Sequence, residues 1–239
     1  MAQKILVASG KGGVGKTTIC TQVGAALARR GLRVLTAELD AGFRSMDLLL
    51  ELESGVVFDL ADVLEGRCAP DAAVQTHASS GLRVLLAPAD PGYGASAQGL
   101  KQLSDWAESR FDMLLFDCPA GFGAIQRAAA ACCGAALLVT LPEPVACRAA
   151  ARVSGLLRSL GVSEQRLIIN RVSRGRLPCG DIRDLDDVID MTGVRLIGAV
   201  PEAAVLPAPA GRAGISVPEQ ALDRIAARLL GEPAGLLIE

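Results

Sequence analysis

Aromatic side chains are nearly missing from this 239-residue chain: five Phe, one Tyr and one Trp make up 3% of it. That scarcity argues against an aromatic-rich β-sandwich core and against a stacking surface for single-stranded nucleic acid. Charge of either sign is not in excess, since 24 Lys and Arg face 26 Asp and Glu for a net −2. Bulk electrostatics therefore draw the chain toward neither nucleic acid nor anionic membranes. There is one histidine, His77, which reads as a solvated loop residue, and no Cys-x-x-Cys pair. The seven cysteines (20, 68, 118, 132, 133, 147 and 179) are an odd number and no signal peptide precedes them, so reduced thiols in a cytosolic protein are expected. No apolar run reaches the ~18 residues of a membrane span. Internal repeats, low-complexity tracts and a domain linker are also lacking.

What is present is aliphatic: 51% of the residues are hydrophobic, so Ala, Val, Leu and Ile must build the core. Short apolar runs read as strands at "KILVAS", "RVLTAEL", "LRVLLAPA", "FDMLLFD", "AALLVTL", "QRLIINR" and "VRLIGAVP". Between them, "TTICTQVGAALARRG", "VFDLADVLEG", "SAQGLKQLSDWAESR", residues 145–160 and "PEQALDRIAARLLG" read as helices, the first ended by Gly31. Residues 173–187 read as a loop before a short helix. Alternating strands and helices predict a single α/β domain over residues 1–239, with a mostly parallel sheet between two helical layers and 232–239 as a short tail.

"GKGGVGKT" (residues 10–17) satisfies the phosphate-loop pattern, and it lies between a predicted strand and a predicted helix as that motif requires. Glycines let successive backbone N–H groups converge on phosphate oxygens, and the helix N-terminus adds its dipole. Lys16 would contact the β- and γ-phosphates, and the Thr17 hydroxyl would ligate Mg²⁺. An acid at a strand end is the expected second half of such a site. Asp117, ending "MLLFD", would hold Mg²⁺ through water. Asp40, after "VLTAEL", would approach the γ-phosphate, orient an attacking water and offer a further metal ligand.

A lysine directly after the first glycine resembles the deviant Walker A loop of the MinD/ParA class of P-loop ATPases. "LDAGFRSMDLLL" (39–50), "FDCPAG" (116–121), "LPEP" (141–144), "INR" (169–171) and "GAVPE" (198–202) resemble segments of the MinD family within it. The resemblance implies an ATP-hydrolysing dimerisation switch that places the division septum, with slow, partner-stimulated turnover. ATP and Mg²⁺ are the implied cofactors. Lys11 would act in trans on the neighbouring subunit's nucleotide, making Lys11, Lys16 and Asp40 the catalytic set. The nucleotide would be held by Gly10, Lys11, Gly12, Gly13, Val14, Gly15, Lys16, Thr17 and Thr18. Asn170 and Arg171 would meet the adenine, with Pro201 and Glu202 as the opposite wall.

Three departures stand out. Glu38 replaces the more usual Asp, Cys118 replaces a serine, and no Lys or Arg follows Arg228, where the family carries a basic amphipathic helix. The implied partners are a second copy of the chain and division regulators of the MinC and MinE type. Peripheral association with the inner face of the cell membrane stays open for a cytoplasmic protein with so acidic a tail. Residues 148–183 hold eight arginines against Glu164 and Asp181. They favour the alternative, a ParA-like ATPase positioning DNA, cargo or flagella. A metal-insertion chaperone is the third reading, and a weaker one for want of a cysteine site.

Overall fold

The computed structural model describes residues 2–42, 44–52, 56–173, 177, 179–180, 182–203 and 216–236. The chain opens with β1 (Gln3–Ala8), α1 (Lys16–Arg29) and β2 (Val34–Glu38), then short helices α2 (Met46–Leu49), α3 (Leu60–Leu64) and α4 (Pro70–Ala73). A small pair, β3 (Gln75–Thr76) and β4 (Arg83–Leu85), precedes α5 (Ala97–Ala107) and β5 (Met113–Asp117). Next come α6 (Ala124–Ala130), β6 (Ala135–Thr140), α7 (Pro144–Ser159) and β7 (Glu164–Val172). Last are α8 (Leu185–Thr192), β8 (Leu196–Pro201) and α9 (Val217–Leu229).

Among the described residues eight strands form one sheet in the order β3-β4-β2-β5-β1-β6-β7-β8. Every neighbouring pair is parallel except β3 with β4. The period-2 alternation of a strand divides its residues between two cores. Ile5 and Val7 of β1 join α1 and α9 on one face, while Leu6 and Ala8 join α5, α7 and α8 on the other. Both faces are thus covered, which is why β2, β5 and β6 are buried along their whole length. This is the expected three-layer α/β domain.

Several details differ from the sequence reading. The expected helix over 57–66 begins only at Leu60, because Asp59 caps it by accepting from the N–H groups of Ala61 and Asp62. The strand in "LRVLLAPA" is confined to β4. Helices α2, α4 and α6 and strand β3 were not expected. In the segment 173–187, a bridge between Cys179 and Ile182 precedes α8, whose N-cap is Asp184; Arg174, Arg176 and Asp181 lie outside the described residues.

Candidate nucleotide site

The loop after β1 is shaped by contacts that leave no room for side chains at two of its glycines. A Cβ on Gly10 would lie 2.3 Å from the backbone C and O of Ala149 in α7. A Cβ on Gly15 would lie 2.5 Å from Asn170 Nδ2, and Gly15 has φ +84°, a left-handed conformation that hands the chain to α1. Gly12, Gly13, Val14, Gly15, Lys16, Thr17 and Thr18, together with Ser9, Asp40 and Ala120, line an open cavity of about 190 Å³ at the carboxyl ends of the central strands. Ligands of open α/β sheets bind at that edge.

Lys16 is 6% exposed and its Nζ donates to Asp117 Oδ1 at 2.6 Å and to Thr17 Oγ1 at 3.2 Å. Burial pulls the lysine pKa down, but the charge and hydrogen bond of Asp117 outweigh it and leave the ammonium above its ordinary value. Burial also raises the Asp117 carboxyl above its ordinary value, against the opposing pull of the Lys16 charge and hydrogen bond. Asp117 Oδ2 is buried with no hydrogen-bond partner among the described residues. An orphaned carboxylate oxygen beside a threonine hydroxyl is the hard-oxygen chemistry that a hydrated Mg²⁺ takes, so the residues fit that ion.

Asp40 reaches the cavity from the loop after β2, and that loop is tied to β5, since Leu39 N–H donates to Asp117 O at 2.8 Å. Lys11 does not face the cavity: its Nζ lies 3.0 Å from Glu143 Oε2 at the N-cap of α7. At the end of β7, Asn170 is buried and its Nδ2 donates to Val14 O at 2.8 Å, so it braces the phosphate loop. Arg171 has φ +55°, and Val172 pairs with Pro201 while Glu202 N–H donates to Val172 O at 2.9 Å. The two segments expected around the adenine therefore lie side by side.

Sequence reasoning missed two supports. Gln126 donates to Pro119 O at 2.9 Å and accepts from Gly123 N–H at 2.7 Å, fixing the loop after β5. Nothing in the sequence marks it. Glu143 was visible within "LPEP" but without a role. His77 is corrected outright: it is buried, with Nδ1 2.7 Å from Ser80 Oγ and Nε2 3.1 Å from Ser79 Oγ. The arginine window is partly consumed by structure, with Arg158 bonded to Gly193 O at 2.6 Å and Arg183 paired with Asp187 at 3.0 Å. Arg148 and Arg152 stay exposed on α7.

Fold and site together define a P-loop nucleotide-binding protein of the three-layer α/β kind. Residues 5–212 match the family described as the CobQ/CobB/MinD/ParA nucleotide binding domain. The septum site-determining protein MinD of Synechocystis is 36% identical over 97% of this chain and 91% of its own length; that of Bacillus subtilis is 32% identical over 100% and 92%. Among solved structures, the MinC:MinD cell division protein complex of Aquifex aeolicus superposes with TM-score 0.86 at 32% identity, covering 99% of each chain. MinD of Pyrococcus horikoshii complexed with Mg-ADP superposes with TM-score 0.83 at 26% identity, covering 96% of each. This chain belongs to the MinD family of ATPases.

Proposed function

We propose that this chain is an ATP-hydrolysing dimerisation switch that works in placing the division septum. The observation that carries the reading is the position of Lys11. The residues around the cavity already supply a lysine, threonine hydroxyls and Asp40 without it, with Asp117 held by Lys16, and its own ammonium is turned outward to Glu143. A cation beside the loop but off its own cavity suits a role toward a nucleotide held by a second copy.

Within one subunit, Lys16 faces the β- and γ-phosphates as a point charge, and the loop N–H groups and the α1 N-terminus orient them. Thr17 and, through water, Asp117 would hold Mg²⁺, which would supply positive charge to offset that of the phosphates. Asp40 orients the attacking water, and the lysine from the partner subunit stabilises charge that develops in the transition state. Asn170 and Arg171, with Pro201 and Glu202 beside them on the neighbouring strand, hold the adenine. Because one charge comes from a second subunit, turnover is slow until dimer and partner assemble.

A regulator of the MinC type is the partner this reading implies, as in the Aquifex complex. The protein works in the cytoplasm and at the inner face of the membrane. Among the described residues no helix is long and apolar enough to cross a membrane.

Light scattering with and without Mg·ATP tests the switch: a doubling of mass that needs ATP is expected, and a monomer at saturating ATP refutes it. Sedimentation of the ATP-loaded protein with anionic liposomes and, separately, with plasmid DNA completes the test. Retention on DNA alone would replace septum placement by the ParA-like reading.

A further inference from the structure

Four donors converge on the carboxylate of Glu38, a side chain with 0% exposure at the end of β2. Its Oε1 accepts from Ser45 N–H at 2.8 Å, from Ser45 Oγ at 3.0 Å and from Met46 N–H at 3.2 Å. Its Oε2 accepts from Ala87 N–H at 3.2 Å, 49 residues away in the chain. Burying a carboxylate is costly unless hydrogen bonds hold it, and here backbone groups of two separate segments do so. Both oxygens are committed to donors outside the phosphate loop.

The placement of those donors is the informative part. Glu38 begins the loop that carries Asp40, and its side chain also grips the end of that loop at Ser45 and Met46. The side chain thus closes residues 38–46 into a ring. Leu39 N–H fixes the ring to Asp117 O at 2.8 Å, and Gly42 N–H fixes it to Pro88 O at 2.9 Å. Gly42 itself has φ +85° and approaches Pro91 so closely that a Cβ there would lie 2.5 Å from the proline Cβ. The Ala87 bond ties Glu38 to the same 87–91 segment. Asp40 hangs between these anchors at the cavity edge.

We propose that Glu38 is the positioning residue for Asp40, a clamp that closes the 38–46 loop on itself and onto the segment after β4. The proposal rests on the reading of Asp40 as the acid that orients water. It also accounts for the glutamate, since an aspartate, one methylene shorter, cannot span Ser45 and Ala87 together from the same backbone position.

Glu38→Gln, Glu38→Asp and Ser45→Ala test the clamp in the full chain. Three readouts apply: amide hydrogen exchange without nucleotide, Mg·ATP affinity by calorimetry, and kcat of ATP hydrolysis. Glu38→Gln presents an NH₂ to the Ala87 N–H, so exchange at Ser45, Met46 and Ala87 should quicken by roughly tenfold or more. kcat should fall about tenfold while affinity stays within about twofold, the signature of a lost alignment rather than a lost contact. Glu38→Asp should not restore kcat. Ser45→Ala removes one of the four bonds and leaves the buried charge held, so it folds even if the Glu38 variants do not; about a threefold loss of kcat is expected.

Unchanged exchange in the variants overturns the clamp. Quicker exchange with wild-type kcat reduces Glu38 to a structural part, and affinity falling in step with kcat would mean that it touches nucleotide. An Asp40→Ala control separates the two ideas. If that control turns over normally, the role of Asp40 is what fails, and the exchange data still decide whether the clamp exists.

Discussion

Lys11 Nζ lies 3.0 Å from Glu143 Oε2, which fastens the phosphate loop to the first turn of α7. The same helix meets the loop at Gly10, beneath Ala149. The two side chains are 43% and 29% exposed, so their ion pair is of the surface kind, worth about 0–1 kcal/mol. A contact that weak does not trap the lysine. Its release shifts an equilibrium by no more than roughly fivefold, whereas a charge-assisted phosphate contact in a water-excluded interface is worth on the order of 10²-fold in rate.

Lys11→Ala should therefore bind Mg·ATP normally, yet neither dimerise nor turn over, while Glu143→Gln changes turnover less than about fivefold. Mixing distinguishes a lysine acting in trans from one serving its own subunit. A Lys11→Ala subunit keeps Lys16, Thr17, Asp40 and Asp117, and an Asp40→Ala partner keeps Lys11. The mixed dimer then has one complete site, and part of the turnover should return. Mixing Lys11→Ala with Lys16→Ala should give no rescue, because the latter cannot load nucleotide. Absence of rescue with Asp40→Ala, in mixed dimers shown to form, would sink the trans assignment.

The sheet and the phosphate loop were legible because strands buried on both faces leave unbroken apolar runs, and glycines and acids end them. β1, β2 and β5 could be read from "KILVAS", "RVLTAEL" and "FDMLLFD" for that reason. Asp40 and Asp117 followed from their places after such runs. Elements of two to four residues, β3, α2 and α4, are too short to show any period. The late start of α3 was legible in principle, because Asp59 and Asp62 have the spacing of a capping box. The bond from Ala87 to Glu38 was not legible, since it is made by a backbone N–H and carries no residue signature. His77 was misread because its burial comes from the return of the chain through β3 and β4.

His77 sets a pH limit on the β3–β4 turn. Burial lowers its pKa below the ordinary histidine value, and the nearby charge of Arg29 acts in the same sense, against a smaller opposing pull from Glu51. The neutral ring is the form the folded chain favours, while the unfolded chain takes up a proton near pH 6.5. The unfolded state thus binds more protons between the two pKa values, so stability rises with pH through that window and is lost as pH falls from about 6.5. Thermal melts from pH 7.5 to 5 should show a decline in Tm that is smaller in His77→Gln. An equal decline in both proteins would move the pH sensitivity to other groups.

Two glycines make the same close approach against different atoms, and this separates stability from binding. At Gly198 in β8, a Cβ would lie 2.3 Å from Ile225 Cγ1, a side chain of α9 remote from the cavity. At Gly10 it would lie 2.3 Å from the backbone C and O of Ala149. A close-packed interior has no spare volume for an added methyl, and overpacking costs about 1–3 kcal/mol. Gly198→Ala should lower Tm by roughly 3–10 °C and leave Mg·ATP affinity unchanged, because α9 can move outward without touching the loop. Gly10→Ala cannot be relieved by a side-chain turn, so either α7 or the phosphate loop must shift. The loop is the smaller body and opens to the cavity, so it should move and weaken Mg·ATP binding at least tenfold, by roughly the 1.4 kcal/mol a displaced N–H contact represents. Calorimetric titration of the two variants, alongside their melts, decides it: normal affinity in Gly10→Ala would mean that α7 yields instead and that the loop does not depend on this contact.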